Sequence, residues 1–353
     1  MNIYVLNPSF DIVDIVDDYK SIIWSTRYFS SGDFEMQIPA TEKNLSVLIH
    51  DNLLCREEDI TDDEFRNVMI IQKIQIITDV EEGDILTITG KCLKSIVGRR
   101  IIWNQTNMTG YVEAAIRQVL NQNIISPELT SRKIDNFELA PTVGLTDSME
   151  IQVRGVNIEN WLEEICMKYG YGWDVYVKNK KMIFYLYCGK IRSYDQNTNP
   201  YVVFSPDFDN LLTSDYTYGK DNFKNAALIA GEGEGTAQKF AEVGVASGLN
   251  RYEEYIEASN MSTNNESIAD DQYMRMLKQY GQSTLNLRAF TETFEGSVVP
   301  DGNYVLNKDY FLGDIVQVVN AYGIAAAPRI TEIIDSEDES GRTVIPTFST
   351  WEV

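Results

Sequence analysis

Two stretches, one in the first quarter of the 353 residues and one near the end, share a pattern that restricts both parts of the chain to β-structure. Ile74-Gln75-Ile76-Ile77-Thr78-Asp79-Val80-Glu81-Glu82-Gly83-Asp84-Ile85-Leu86-Thr87-Ile88 is a β-branched run, an acidic turn ending in glycine, and a second alternating run. Ile330-Thr331-Glu332-Ile333-Ile334-Asp335-Ser336-Glu337-Asp338-Glu339-Ser340-Gly341-Arg342-Thr343-Val344-Ile345 repeats that order. Alternation puts one face toward a core and the other toward water, and glycine supplies the turn, so each stretch predicts a hairpin with a longer loop. Two such hairpins predict two related β-domains. In a symmetric oligomer, two similar domains per chain double the apparent symmetry of a ring.

The chain is long enough for two or three domains. Its hydrophobic fraction of 44% and aromatic fraction of 11% suffice for real cores. Twenty tyrosines and fourteen phenylalanines favour strands. A net charge of -23 predicts repulsion from nucleic acid and anionic membranes. Cys55, Cys92, Cys166 and Cys188 are widely spaced and predict reduced core thiols of a protein made in cytoplasm. The first residues lack the features of a signal peptide, and no run reaches the ~18 apolar residues of a membrane span, so no stable membrane insertion is expected.

Along the chain, residues 1–97 read almost entirely as strands, with Phe34, Met36 and Ile38 alternating and the charged stretch 56–64 as a solvated loop. Residues 98–198 change period. Thr109 is expected to cap a helix burying Val112, Ile116, Val119 and Leu120, and Asn157 a second burying Ile158, Trp161, Leu162, Ile165 and Tyr169, ended by Gly170. Trp173, Val175 and Val177, a turn at 178–181, then Met182, Phe184 and Leu186 predict a hairpin, and hence a small inserted α+β module. Residues 199–353 return to strands with one helix. Ser267-Ile268-Ala269-Asp270 reads as its capping box, Tyr273, Met276, Leu277 and Tyr280 as its apolar face and Gly281 as its end. Strands then resume at Leu285, Leu287 and Ala289 and at 315–319. The expected fold is mainly β: a first β-barrel domain (1–97), an inserted α+β domain (98–198) and a second β-barrel domain with one helix (199–353).

Chemistry is hard to find. His50 stands alone, without the nucleophile-elbow sequence of a Ser-His-Asp arrangement, and reads as an ordinary histidine near a strand end. The 53 acidic residues make chance carboxylate pairs common, so glycosidase chemistry cannot be argued from them. The run 335–339 reads as an exposed hairpin tip rather than a cation site, and no EF-hand spacing occurs. Ala230-Gly231-Glu232-Gly233-Glu234-Gly235-Thr236 follows an apolar run as a phosphate loop would. It lacks the lysine, and its two glutamates would repel phosphate, so a flexible inter-strand loop is expected. No catalytic, cofactor-binding or metal-binding residue is assigned, and no enzymatic activity is expected.

Four blocks carry a family likeness. They are Tyr4-Val5-Leu6-Asn7 with Tyr19-Lys20-Ser21-Ile22-Ile23-Trp24 and Gly32-Asp33-Phe34-Glu35-Met36-Gln37-Ile38-Pro39; Gly90-Lys91-Cys92-Leu93 to Arg99-Arg100-Ile101-Ile102; Gly231-Glu232-Gly233-Glu234-Gly235; and Asp309-Tyr310-Phe311-Leu312-Gly313-Asp314-Ile315-Val316 with Pro328-Arg329-Ile330-Thr331-Glu332-Ile333 and Pro346-Thr347-Phe348. The chain resembles the tail hub proteins of long-tailed phages of Gram-positive bacteria. It differs from longer relatives in having no carboxy-terminal peptidoglycan-cleaving or host-binding region. The resemblance implies a homotrimer at the virion tail tip, assembled in the host cytoplasm, whose paired barrels make a pseudo-six-fold ring. Implied partners are the distal tail protein hexamer, the tape-measure protein's end, and tip or receptor-binding proteins, with DNA only in transit. Two other classes stay open: a peptidoglycan or glycan hydrolase, needing a carboxylate pair in a cleft, and a host-carbohydrate-binding tail protein, needing clustered exposed aromatics.

Overall fold

The computed structural model describes residues 1–78, 83–263, 267–299 and 303–350. The first part holds β1 (Ile3–Leu6), β2 (Ile12–Val16), β3 (Ser21–Arg27), β4 (Asp33–Pro39), α1 (Glu42–Val47), β5 (Leu53–Arg56), β6 (Ile60–Thr61), β7 (Glu64–Phe65), β8 (Met69–Ile77) and β9 (Ile85–Cys92). The alternation in β4 buries Phe34, Met36 and Ile38 as expected, against Trp24, Leu86 and Ile88 in one core shared by these strands. The predicted hairpin forms, with Ile74 opposite Ile88 and Ile76 opposite Leu86. Its turn residues 79–82 lie outside the described residues. The helix α1 was not expected from the strand reading; the Thr41 side chain caps it by accepting the Asn44 N–H.

The middle holds β10 (Thr106–Tyr111), α2 (Val112–Leu120), β11 (Phe137–Leu139), β12 (Ser148–Val153), α3 (Ile158–Tyr169), β13 (Gly172–Lys178) and β14 (Lys181–Tyr187). Both helical faces are buried as their spacing predicts. Thr109 is not the cap of α2: it pairs with Glu150 inside β10, and the helix starts two residues later, after Tyr111. Asn157 does cap α3, accepting the N–H groups of Glu159 and Asn160, and Gly170 ends it with φ 70. Asn179 and Lys180 take φ 50 and φ 59, the left-handed pair that a two-residue hairpin turn requires. The short hairpin β6–β7 reaches across to β13, giving a five-stranded sheet ordered β11-β14-β13-β7-β6.

The last part holds β15 (Val203–Phe204), β16 (Asp215–Gly219), β17 (Ala226–Ala230), β18 (Phe240–Val243), β19 (Glu253–Glu257), α4 (Asp270–Asn286), β20 (Thr291–Glu295), β21 (Gln317–Val319), β22 (Ala325–Ala326), β23 (Arg329–Asp338) and β24 (Gly341–Thr350). Three expectations about α4 need correction. Its N-cap is Ala269, which makes no side-chain cap, while the Ser267 hydroxyl donates to the Thr263 carbonyl instead. Gly281 does not end the helix. It is the contact point with β17, where an added Cβ would lie 2.4 Å from Ile229 Cδ1. The helix therefore continues and buries Leu285, so the next strand begins at Thr291 rather than near Leu285. The second hairpin is also tighter than expected: β23 runs through the acidic residues to Asp338, and only residues 339–340 turn.

Eleven strands form one sheet ordered β16-β20-β24-β23-β3-β4-β9-β8-β5-β1-β2. Its central seam is β23 on β3, with Asp335 opposite Trp24 and Ile333 opposite Thr26. The first and last parts of the chain are thus hydrogen-bonded neighbours. Each keeps its own core, the second built from Phe204, Phe294, Tyr310, Val318, Ile330 and Phe348. A further core lies between α4 and the small sheet β18-β17-β19.

Candidate functional site: exposed surfaces around a buried ionic joint

The stretch 56–64, expected to be solvated, holds the most deeply buried charges at the seam. Arg56 and Asp59 are buried, as is Asp335 from the supposedly exposed hairpin tip. Arg56 Nε lies 2.6 Å from Asp59 Oδ2, and its Nη1 lies 2.6 Å from Asp335 Oδ2. Arg342 Nε donates to Asp335 Oδ1 at 2.9 Å and its Nη2 reaches Glu58 Oε1 at 2.7 Å. The Asn67 amide donates to the other Asp59 oxygen at 2.6 Å, and the Arg56 guanidinium sits 5.4 Å from the Trp24 ring centroid. Burial works to lower the Arg56 pKa, but Asp59 and Asp335 outweigh it and hold the charge. Hydrogen bonding to Asp335 raises that of Arg342. Such charges are tolerated away from water because every one is paired. The sequence carried a signal: Arg56 closes the apolar strand Leu53-Leu54-Cys55, and Arg342 faces Glu337 across the second hairpin.

Beside this joint opens a cavity of about 630 Å³, walled by all three parts of the chain through Trp24, Asp59, Asp174, Tyr185, Asp314 and Asp335. On its far side Arg192 Nε lies 2.6 Å from buried Asp314 Oδ2, which also accepts the Phe311 N–H. The Tyr28 hydroxyl donates to the Gly170 carbonyl at 3.1 Å and accepts the Gly189 N–H at 3.1 Å; burial pushes its pKa up to about 12. Burial raises the Asp174 carboxyl, with Lys94 and Arg66 opposing. The expectation of four core thiols holds for Cys55, Cys92 and Cys166. Cys188 is exposed at the cavity wall. Its pKa is nevertheless raised, desolvation leading and Arg329 opposing.

The other singled-out residues are not brought together. His50 is exposed between α1 and β5. Among the described residues no His, Cys, Asp and Glu side chains are grouped to hold a metal ion. The glycine-rich segment is an inter-strand loop between β17 and β18, and it is firmly tied. Glu232 accepts the Thr263 N–H at 2.7 Å and the Lys239 ammonium at 3.0 Å, while its own N–H donates to the Tyr273 hydroxyl. Its carboxylate is turned into the protein, where a phosphate would have to displace it.

What the fold leaves outward is apolar surface. Beyond Ile74, β8 is exposed on both faces, with Ile76 and Ile77 about half exposed at 53% and 49%. The edge strand β2 shows Ile12, Val13 and Ile15, although Lys43 Nζ donates to the Ile15 carbonyl and so blunts that edge. At the opposite edge, Tyr218 of β16 stacks on Phe290, which stacks on Phe223. The loop after β18 holds Val245 and Leu249 fully exposed, and is tied at its base by Arg251, which donates to the Ala246 carbonyl and pairs with Glu242. Apolar projections of this kind mark contact surfaces when they cluster.

The family model described as "Siphovirus ReqiPepy6 Gp37-like protein" matches residues 2–349. No curated protein sequence matches the chain. In fold the chain is similar to a tail protein from Neisseria meningitidis MC58, with a TM-score of 0.57 at 12% identity over 99% of this chain and 97% of that one. It is similar to a 43 kDa tail protein of prophage MuSo2 from Shewanella oneidensis, with a TM-score of 0.55 at 13% identity over 99% and 98%. Prophage tail protein gp18 from Listeria monocytogenes EGD-e gives 0.52 at 11% identity over 100% and 96%.

Proposed function

Because the chain belongs to the siphovirus ReqiPepy6 Gp37-like family, we propose that it is a structural, non-enzymatic protein of a phage tail, acting as the hub at its tip. The observation that carries this reading is the whole-chain match of fold to tail proteins, with two β-cores stitched by the β3–β23 seam and apolar edges left outward. In this proposal the chain keeps the division 1–97, 98–198 and 199–353. The two ends of the large sheet curl into related barrels. Three copies pair their edges around an axis, so six barrels face a hexameric distal tail ring. The α+β module projects from that ring, and the tape-measure protein's end and the tip proteins are neighbours. The ring closes the tube until DNA ejection. The net charge of -23 supports a channel wall along which DNA slides without adhering.

The test is the solution mass of the purified full chain, alone and mixed with the distal tail protein of the same phage. The expected result is a trimer, or a monomer that trimerises on that ring. A stable monomer that never associates with it would overturn the hub. A basic or neutral inner wall in an assembled ring would remove the sliding role of the charge.

A further inference from the structure

We propose that the inserted module carries a binding pocket for a neutral saccharide, built on Trp103 and the amides of Gln105 and Gln122 over a floor fixed by Asn123. The pocket lies between residues 103–107, which lead into β10, and the far end of α2. Its volume is about 380 Å³, at the small end of the ~300–1,000 Å³ range of ligand sites. There α2 passes into a π-helical turn, Asn121–Ile125, a local irregularity that is enriched at functional sites. That turn presents Gln122 and Asn123 to the pocket.

The floor is fixed in advance. Asn123 is buried; its amide donates to the Val119 carbonyl at 2.9 Å, and its oxygen accepts the Trp103 N–H at 3.0 Å. The Arg132 guanidinium stands 4.9 Å from the Trp103 ring centroid, yet half of this indole (50%) remains in solvent. The exposed half of this aromatic surface offers a platform for the flat C–H face of a pyranose ring. Gln105 supplies the second signal: its Nε2 is buried and has no hydrogen-bond partner in the protein. A buried donor without an acceptor is costly, and turning the Gln105 amide toward the pocket would let a ligand oxygen satisfy it.

The lining also selects the class of ligand. Its two charged residues, Glu128 and Arg132, are opposite in sign and already engaged, Glu128 by the Asn104 amide at 3.2 Å and Arg132 by the Ile101 carbonyl at 2.7 Å. With one charge of each sign, the lining carries no net charge to attract a phosphate or carboxylate. Carboxamides both donate and accept, as sugar hydroxyls do. The lining therefore suits a neutral polyol with one apolar face better than an ion or a purely apolar molecule.

The experiment uses the full chain and saturation-transfer NMR with glucose, galactose, N-acetylglucosamine, maltose and chitobiose, with glucose 6-phosphate as the anionic counterpart. The expected result is saturable binding of at least one neutral sugar. Trp103→Ala should weaken it by about tenfold or more, and Gln122→Ala, on an exposed turn, by a smaller factor, with unfolding midpoints unchanged. The pocket is refuted if no neutral sugar titrates, if both variants bind as the parent does, or if glucose 6-phosphate binds better than glucose. None of these outcomes bears on oligomeric mass, so the hub reading stands or falls separately.

Discussion

The two hairpins that look alike in sequence meet opposite fates. Both are antiparallel pairs, and both carry one register shift early in their first strand, between Ile71 and Lys73 in β8 and between Ile330 and Glu332 in β23. The β23–β24 hairpin is fused into the sheet along its length by β3, and its buried Asp335 is neutralised by Arg56 and Arg342. The β8–β9 hairpin is also paired on one side, by β4, but β5 reaches only Met69 and Ile70 on the other, and the outer half of β8 is an edge with half-exposed isoleucines. A hairpin pattern fixes pairing and alternation. What the hairpin is for depends on whether a neighbour supplies charges of opposite sign or leaves its faces open.

The sharpest way to break this contrast is to unpair the fused hairpin. Arg56→Met leaves Asp59 buried without its cation and Asp335 with only Arg342. The expected loss is roughly 3–5 kcal/mol of unfolding free energy, read by urea denaturation; a loss under ~1 kcal/mol would mean the joint does not hold the seam. Next in size is a change inside the first hairpin. Gly90 in β9 faces the Ile70 carbonyl, where an added Cβ would lie 1.8 Å away, and also Phe34. Gly90→Ala should cost about 1–3 kcal/mol through forced displacement, visible in the same titration.

Replacing Ile76 and Ile77 together with serine should leave monomer stability within ~0.5 kcal/mol while weakening self-association or binding to the distal tail ring. Unchanged association by light scattering would show that the bare end of β8 is not a contact. The smallest effect concerns the fused hairpin's turn. The Ser340 hydroxyl and N–H hold the Asp338 carboxyl below its ordinary 3.8. Because the folded value is the lower one, its contribution is present above pH 3.8 and lost as pH falls through the folded value. Amide exchange at Ser340 and Gly341 should therefore accelerate in acid, and Asp338→Ala should remove that dependence.

Much of the fold is legible from residue spacing. The alternation of Phe34, Met36 and Ile38, the stripe beginning at Trp161 and the Asn157 and Gly170 caps depend on neighbours a few positions away, and all form as read. The errors came where a distant partner decided. Gly281 reads as a helix end, but it is a contact with Ile229. Thr109 reads as a cap, but β12 claims it for a strand. The runs at 56–64 and 335–339 read as solvated, which holds for Glu57, Glu58, Asp62, Asp63, Asp338 and Glu339 but not for Arg56, Asp59 and Asp335, because nothing local tells that these will find each other's charges. The amide-lined pocket was equally silent, since Trp103, Gln122 and Arg132 belong to different turns and carry no spacing rule.

The β3–β23 seam also has a consequence in time. Arg27 finds Glu332 and Arg56 finds Asp335 across 305 and 279 residues of sequence. During synthesis, β3 must wait with one side unsatisfied until the segment around residue 330 has been made. Long-range pairing of this kind folds slowly and leaves a temporary strand edge open to wrong partners. A chain cut short before β23 would keep that edge.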